Sequence, residues 1–152
     1  MPLSLMIRVL LSADLHYHAR SRPALERFAL QVQRERPDCL VLAGDLGHPL
    51  ANFQRAMSLF SGLICPKLAL AGNHDVWSGD HNSQSLWDHL LEQSARQAGF
   101  IWLDREIFHL GSLGVCGGRL LRDGRGGRPT FLRHSRRQSR HRHTGGFFRG
   151  RL

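Results

Sequence analysis

Short apolar runs alternate with amphipathic stretches along the first half of the chain. The apolar runs at 6–12, 39–43 and 68–71 have the length of buried strands and are too short for buried helices. Between them, residues 23–36 and 51–62 carry apolar side chains at the spacing of one helix face. The order strand, helix, strand, helix, strand predicts a parallel sheet with right-handed crossovers.

The following segment predicts one more helix and the beginning of a second sheet. Residues 83–98 place apolar side chains at helical spacing. After this helix the pattern predicts a strand at 100–103, a tight turn at 104–105 and a hairpin partner at 106–110. Another strand is predicted to start at 113–116. We expect these strands to open a second sheet.

Polar side chains follow each of the three predicted parallel strands, at the edge where open α/β sheets bind their ligands. These side chains are Asp14 and His16 after the first strand, Asp45 after the second, and Asn73, His74 and Asp75 after the third. In an extended segment Asp14 and His16, two positions apart, would point to the same side. Each strand end also fits an ordinary turn, but three successive polar ends favour a common site. Oxygen and nitrogen ligands without thiolate suit Mn²⁺, Fe or Zn²⁺, and a carboxylate can bridge two ions.

Composition divides the chain into two parts of different character. The formal charge of +9 belongs to the end of the chain: residues 1–116 hold ten Lys/Arg and eleven Asp/Glu, whereas residues 117–152 hold eleven Arg and one acid. The second part also holds eight Gly and has no apolar periodicity, so it cannot bury enough surface to offset the entropy of ordering. We predict a folded domain at 1–116 and a basic tail at 117–152 that is disordered.

The cysteines and the hydropathy of the chain indicate the cellular compartment in which the protein is expected. Three cysteines, an odd number, lie in or next to apolar runs, which favours buried reduced thiols in a cytoplasmic protein over a disulfide framework. No apolar run approaches eighteen residues, so no membrane span is predicted.

The three strand ends together resemble a known family. The patterns D-x-H at 14–16, G-D at 44–45 and G-N-H-D at 72–75 are similar to the first three motifs of the calcineurin-like metallophosphoesterases. This resemblance covers roughly residues 6–116. It implies an α/β fold, the N-terminal part of a four-layer α-β-β-α sandwich with an incomplete second sheet. It also implies hydrolysis of phosphomono- or phosphodiesters at a dinuclear metal site.

The resemblance also implies a role for each strand-end residue. The implied ligands of the two divalent ions are Asp14, His16, Asp45 and Asn73, with Asp45 bridging both. His74 would lie beside the scissile phosphate and assist the leaving group, and Asp75 would orient its imidazole. A His–carboxylate pair suits this task, because a leaving alkoxide needs a proton or a positive partner. Many family members have an acid or Asn where this chain has His48, which we interpret as a surface histidine.

Three interpretations of the tail are possible, and each implies a different function. The family supplies three more histidine ligands in its second half, and His134, His141 and His143 are the candidates here. Alternatively, the reading frame changes near residue 117 or the gene is truncated, and the product is a disabled phosphoesterase. The third alternative is nucleic-acid binding by the Arg-rich tail, through phosphate contacts and Arg stacking. The expected partners are therefore a phosphoester substrate and, through the tail, nucleic acid.

Overall fold

The protein is described from a computed structural model. The structure describes residues 6–77, 81–111 and 113–117, together with the backbone of two short strands at 120–121 and 130–131.

A parallel four-stranded sheet forms the centre of the described structure. Its strands lie in chain order, and each is parallel to its neighbour. They are β1 (Val9–Ser12), β2 (Cys39–Ala43), β3 (Lys67–Leu70) and β4 (Phe100–Trp102). The first four residues of β2 are buried, as expected for a strand covered on both faces. The predicted parallel sheet is confirmed.

Helices connect these strands and end close to the predicted positions. They are α1 (Arg22–Glu35), α2 (Leu50–Ser58), α3 (Ser83–Ser85) and α4 (Leu91–Gln97), with a π-helical turn at Leu86–Leu90 joining the last two. The predicted second helix, 51–62, is one turn too long. Beyond Ser58 the chain forms i→i−3 turns, such as Phe60 N to Met57 O at 3.1 Å, the tightening common at helix ends.

The helices pack on one face of the sheet. Side chains of the strands alternate between two hydrophobic clusters, as the period of a strand requires. The helix-side cluster takes Leu40 and Leu42 from β2 and Trp102 from β4, and the helices add Val32 and Phe53. All five are at most 1 % exposed, so this cluster is the main core.

A second, antiparallel sheet covers the opposite face. Its strands are β5 (Phe108–Leu110) and β6 (Leu113–Val115). Phe108, Leu110 and Val115 pack against a smaller cluster that includes Val41 and Leu68. The described layers are therefore helices, parallel sheet and second sheet, which is the N-terminal part of an α-β-β-α sandwich. The predicted fold class is confirmed.

One predicted strand pairing is wrong. We expected 100–103 and 106–110 to form a hairpin, but β4 pairs in parallel with β3, and β5 pairs with β6. The reason is burial: Phe100 and Trp102 enter the helix-side core while Ile101 contacts the smaller cluster. A strand with apolar contacts on both faces fits the first sheet, next to the helix that precedes it.

The chain divides into two units, residues 1–118 and residues 119–152. Within this second unit, β7 (Leu120–Leu121) and β8 (Thr130–Phe131) pair antiparallel. The rest of the predicted tail, including His134, His141 and His143, lies outside the described residues. The boundary after Cys116 and the disorder of the tail therefore stay predictions.

The cysteines are all free, and their burial differs. Cys39 is fully buried, and this burial raises the pKa of its thiol to about 11. Cys65 is half-buried, whereas Cys116 is exposed, so the prediction of burial is wrong for Cys116. Among the described residues, no helix is both long enough and apolar enough to span a membrane.

Candidate metal centre

The loop after β1 is held against the loop after β2 by backbone hydrogen bonds. Asp14 N donates to Gly44 O at 3.1 Å, and His16 N donates to Asp45 O at 2.9 Å. These bonds continue the pairing of β1 with β2 beyond the end of the sheet. As a result, the polar side chains of the first two strand ends lie side by side.

The backbone at this edge is unusual. Asp14, His16 and Asp45 have φ values of 55°, 43° and 54°, in the left-handed region. Our reason for placing Asp14 and His16 together, an extended segment, is therefore wrong, although the side chains do meet. Non-glycine residues in this region cost conformational energy and concentrate at functional sites, because the surrounding structure must hold them there.

The side chains of Asp14, His16 and Asp45 converge. Their candidate ligand atoms all lie within 4.8 Å of one another, and Asp14 Oδ1 is 3.7 Å from His16 Nε2. Two ligands at about 2.1 Å from one ion are roughly 3.0–4.2 Å apart, depending on the angle between them. The cluster therefore fits a divalent ion after the donors approach by a few tenths of an ångström. Two carboxylates and an imidazole also match the ligand chemistry of Mn²⁺, Fe and Zn²⁺.

Glycines at the ends of β2 and β3 let these two loops touch. A Cβ on Gly44 would lie 2.6 Å from Gly72 N, and one on Gly72 would collide with the carboxylate of Asp45. Contacts this short do not occur for real side chains. The glycines of the G-D and G-N-H-D patterns are therefore required by close approach of the backbone to its neighbour.

Asp45 links the second strand end to the third. Its Oδ1 accepts a hydrogen bond from His74 N at 2.8 Å. This bond fixes the backbone of His74, and Asp45 also offers a carboxylate oxygen to the Asp14–His16–Asp45 cluster. Gly72 and His74 both lie against Asp45. Asn73 lies between these two residues in the chain, and it is exposed.

Asp75 lies beneath this surface and ties the loops together. It is 1 % exposed; Oδ1 accepts from Leu46 N at 2.8 Å and Gly47 N at 3.0 Å, and Oδ2 accepts from Gly72 N at 2.8 Å. Burial raises the pKa of this carboxyl, while the three backbone hydrogen bonds oppose the shift and Asp45 adds to it. Asp75 thus joins the loop after β2 to the loop after β3. Its predicted role in orienting the imidazole of His74 stays a prediction.

Aromatic rings surround the imidazole of His74. The His16 ring lies edge-on at 4.9 Å between centroids, and the indole of Trp77 is stacked at 3.8 Å with 28° between planes. His48, interpreted above as a surface histidine, is exposed, and its ring lies 5.6 Å from Trp77. His48 therefore belongs to the rim of the site. Trp77 was missed, because it belongs to no periodic pattern; a large aromatic residue two positions after G-N-H-D was the available signal.

Comparison with known proteins identifies the family. A sequence profile described as calcineurin-like phosphoesterase matches residues 7–144. The chain therefore belongs to this family, and the resemblance seen in its three motifs is confirmed. The match runs beyond residue 116 and includes the positions of all three tail histidines.

A solved structure shares the fold. The phosphopantetheinyl hydrolase from Mycobacterium tuberculosis is similar with a TM-score of 0.53 and 16 % identity, over 69 % of this chain and 38 % of that one. The present chain thus spans well under half of that protein. No curated protein sequence matches the chain.

Proposed function

We propose that this protein hydrolyses phosphoesters with two divalent metal ions held at the carboxyl edge of its parallel sheet. The observation that carries the proposal is the convergence of Asp14, His16 and Asp45 within 4.8 Å, in a chain of the calcineurin-like phosphoesterase family. Within the part of the chain that the structure describes, this is the cluster of acidic and imidazole groups suited to an ion.

Asp14, His16 and Asp45 would hold the first ion, and Asp45 and Asn73 would hold the second. His134, His141 and His143, the tail positions where the family resemblance would place more ligands, lie outside the described residues. When bound, such a pair of ions supplies an activated water and neutralises charge on the phosphoryl group. Mn²⁺, Fe and Zn²⁺ all suit this donor set, and the free cysteines support a cytoplasmic location.

His74 would deliver the proton that the leaving group needs. Its ring stands 4.9 Å from that of His16, so it faces the proposed ions and a phosphoryl group placed on them. In hydrolysis, water adds its oxygen to phosphorus and gives up one proton, the bond from phosphorus to the ester oxygen breaks, and the departing oxygen takes one proton. A protonated imidazole at this position supplies that proton, and the products are an alcohol and a phosphate.

The proposal is tested by removing one charge from the carboxylate that would bridge the ions. Asp45→Asn should abolish Mn²⁺ binding in calorimetry and any Mn²⁺-dependent hydrolysis of an aryl phosphodiester, because an amide is a much weaker ligand than a carboxylate. Asp38→Asn is the matched control: Asp38 lies just before β2, is exposed, and its Oδ2 accepts from Arg8 N at 2.8 Å. Mn²⁺ binding by Asp45→Asn with the affinity of Asp38→Asn would refute the proposed site.

The charge distribution supports nucleic-acid binding by the tail as a second candidate function. Residues 117–152 hold eleven Arg against one acid. Such a segment binds phosphate backbones without regard to sequence. This function requires neither the metal cluster nor His74, so the two candidates can be separated by substitutions in each part.

A further inference from the structure

The imidazole of His74 is held by flat rings. Trp77 stacks on it at 3.8 Å between centroids and 28° between planes, and His16 meets it edge-on. The stack is local: Trp77 N donates to His74 O at 3.0 Å, so a tight turn brings the two side chains together. The turn therefore places the two side chains close enough for their rings to stack.

The neighbouring carboxylate is engaged elsewhere. Both oxygens of Asp75 accept hydrogen bonds from backbone amides of the loops after β2 and β3. Asp45 holds the backbone of His74 and not its ring. Among the described contacts of His74, the ring contacts are thus the ones that restrict rotation of the imidazole about its own side-chain bonds.

The exposure of Trp77 points the same way. Trp77 is 50 % exposed, although a large apolar side chain usually gains by burial. One face covers the imidazole, and an edge is approached by His48 at 5.6 Å between centroids. The position of Trp77 at the rim leaves apolar surface in water. This cost is explained if Trp77 has to hold the imidazole of His74 in one orientation.

We propose that Trp77 is a positioning residue that keeps the imidazole of His74 facing the Asp14–His16–Asp45 cluster. This inference rests on the proposed function, in which His74 gives a proton to the leaving oxygen. Trp77 is assigned no role with the phosphoryl group or the ions and acts only through His74. Its removal should therefore matter most for esters whose leaving group depends on that proton.

The first test measures the ring stack without using activity. In the 152-residue chain without added metal, ring-proton resonances of His74, assigned by their loss in His74→Gln, should lie upfield because the indole ring current shields them. Trp77→Leu keeps apolar bulk but removes the aromatic face, so the resonances should move downfield. Trp77→Phe should restore part of the shift. Ile107→Ala, which truncates an exposed apolar side chain outside the site, should change nothing.

The second test measures the dependence on the leaving group. For a dialkyl phosphodiester, whose alkoxide is a poor leaving group, Trp77→Leu should lower kcat by roughly tenfold with KM unchanged, since general acid catalysis contributes about 10²–10⁴-fold. For a nitrophenyl ester, which needs little protonation, the loss should stay below roughly threefold. In a His74→Ala background, Trp77→Leu should have no further effect, because residues that act as a unit are not additive.

The outcomes separate this inference from the function on which it rests. His74 resonances that are unchanged in Trp77→Leu would overturn the inference, and so would equal losses for both esters or additive effects with His74→Ala. A chain with no metal-dependent turnover would refute the proposed function instead. In that case the resonance shifts alone decide whether Trp77 holds the ring.

Discussion

Gly72→Ala tests whether close contact between the strand-end loops places the metal ligand. A methyl group at this position would lie 2.6 Å from Cγ of Asp45, whereas ordinary contacts begin at 3.4 Å. Oδ1 and the backbone N of Asp45 would lie closer still, so the carboxylate must retreat and the loops must separate, by at least about 0.8 Å. Either movement affects the hydrogen bond from His74 N to Asp45 Oδ1, which is 2.8 Å long.

The expected cost follows from these contacts. Losing a hydrogen bond to a charged acceptor costs about 1.5–3 kcal/mol. Added strain at Asp45, already at φ 54°, brings the expected destabilisation to roughly 2–4 kcal/mol. For a domain of this size that corresponds to a fall in Tm of about 5–15 °C. A shift of 0.8 Å also exceeds the tolerance of about 0.5 Å within which a site must hold its ligands. We expect Mn²⁺ affinity to fall roughly 10–100-fold.

Thermal unfolding followed by circular dichroism and calorimetric titration with Mn²⁺ measure the two effects. Gly62→Ala is the control, because its new Cβ would meet only Gln33 Nε2, at 3.8 Å, and the change in the unfolded chain is the same. The control should stay within about 0.5 kcal/mol of the wild type. If Gly72→Ala matches the control in Tm, the close contact is not real. If Tm falls but Mn²⁺ affinity does not, Gly72 contributes to stability but does not position the carboxylate of Asp45. That result would refute the link between the close contact and the metal ligand.

Two further predictions concern the buried carboxylate and the tail. Asp75→Ala leaves three backbone amides without their acceptor and should lower the free energy of unfolding in urea by roughly 3–6 kcal/mol, whereas Asp75→Asn, which keeps one acceptor oxygen, should lose about half as much. Asp75→Ala as stable as the exposed Asp38→Ala would contradict this role. If the tail binds nucleic acid, replacing Arg136, Arg137 and Arg140 by Gln should weaken binding of a single-stranded oligonucleotide and reduce its salt dependence, by about 0.7 in slope per lost contact. Unchanged binding would remove these arginines from consideration.

The sequence by itself determined the first three strands of the parallel sheet and the edge where their polar residues lie. Apolar runs of strand length and helices with one apolar face specify alternating elements, because burial follows the period of each element. Strand 39–43 was predicted at its observed bounds. Once the strands are parallel, the polar residues at their carboxyl ends share one edge of the sheet, so the sequence pattern predicts that Asp14, His16 and Asp45 lie near one another.

Some features of the site depend on contacts between segments far apart in sequence. Asp75 accepts hydrogen bonds from the backbone of Leu46 and Gly47, 29 and 28 positions away, and this role was not predicted. No local pattern encodes such a contact. The short side chain of Asp can serve a turn or an interloop bond equally well, and only the packing of the loops chooses between them.

The tertiary structure also decided which sheet takes β4 and how the site is lined. An apolar run at 100–103 fits a hairpin strand or a buried parallel strand, and burial on both faces selected the second. The left-handed backbone of Asp14, His16 and Asp45 could not be predicted from the sequence, because Asp and His also occur in all the other common backbone conformations. The stack of Trp77 on His74 likewise arises from one tight turn. The distance between the two rings depends on the dihedral angles of this turn. The surrounding loops determine these angles, and the residue types do not.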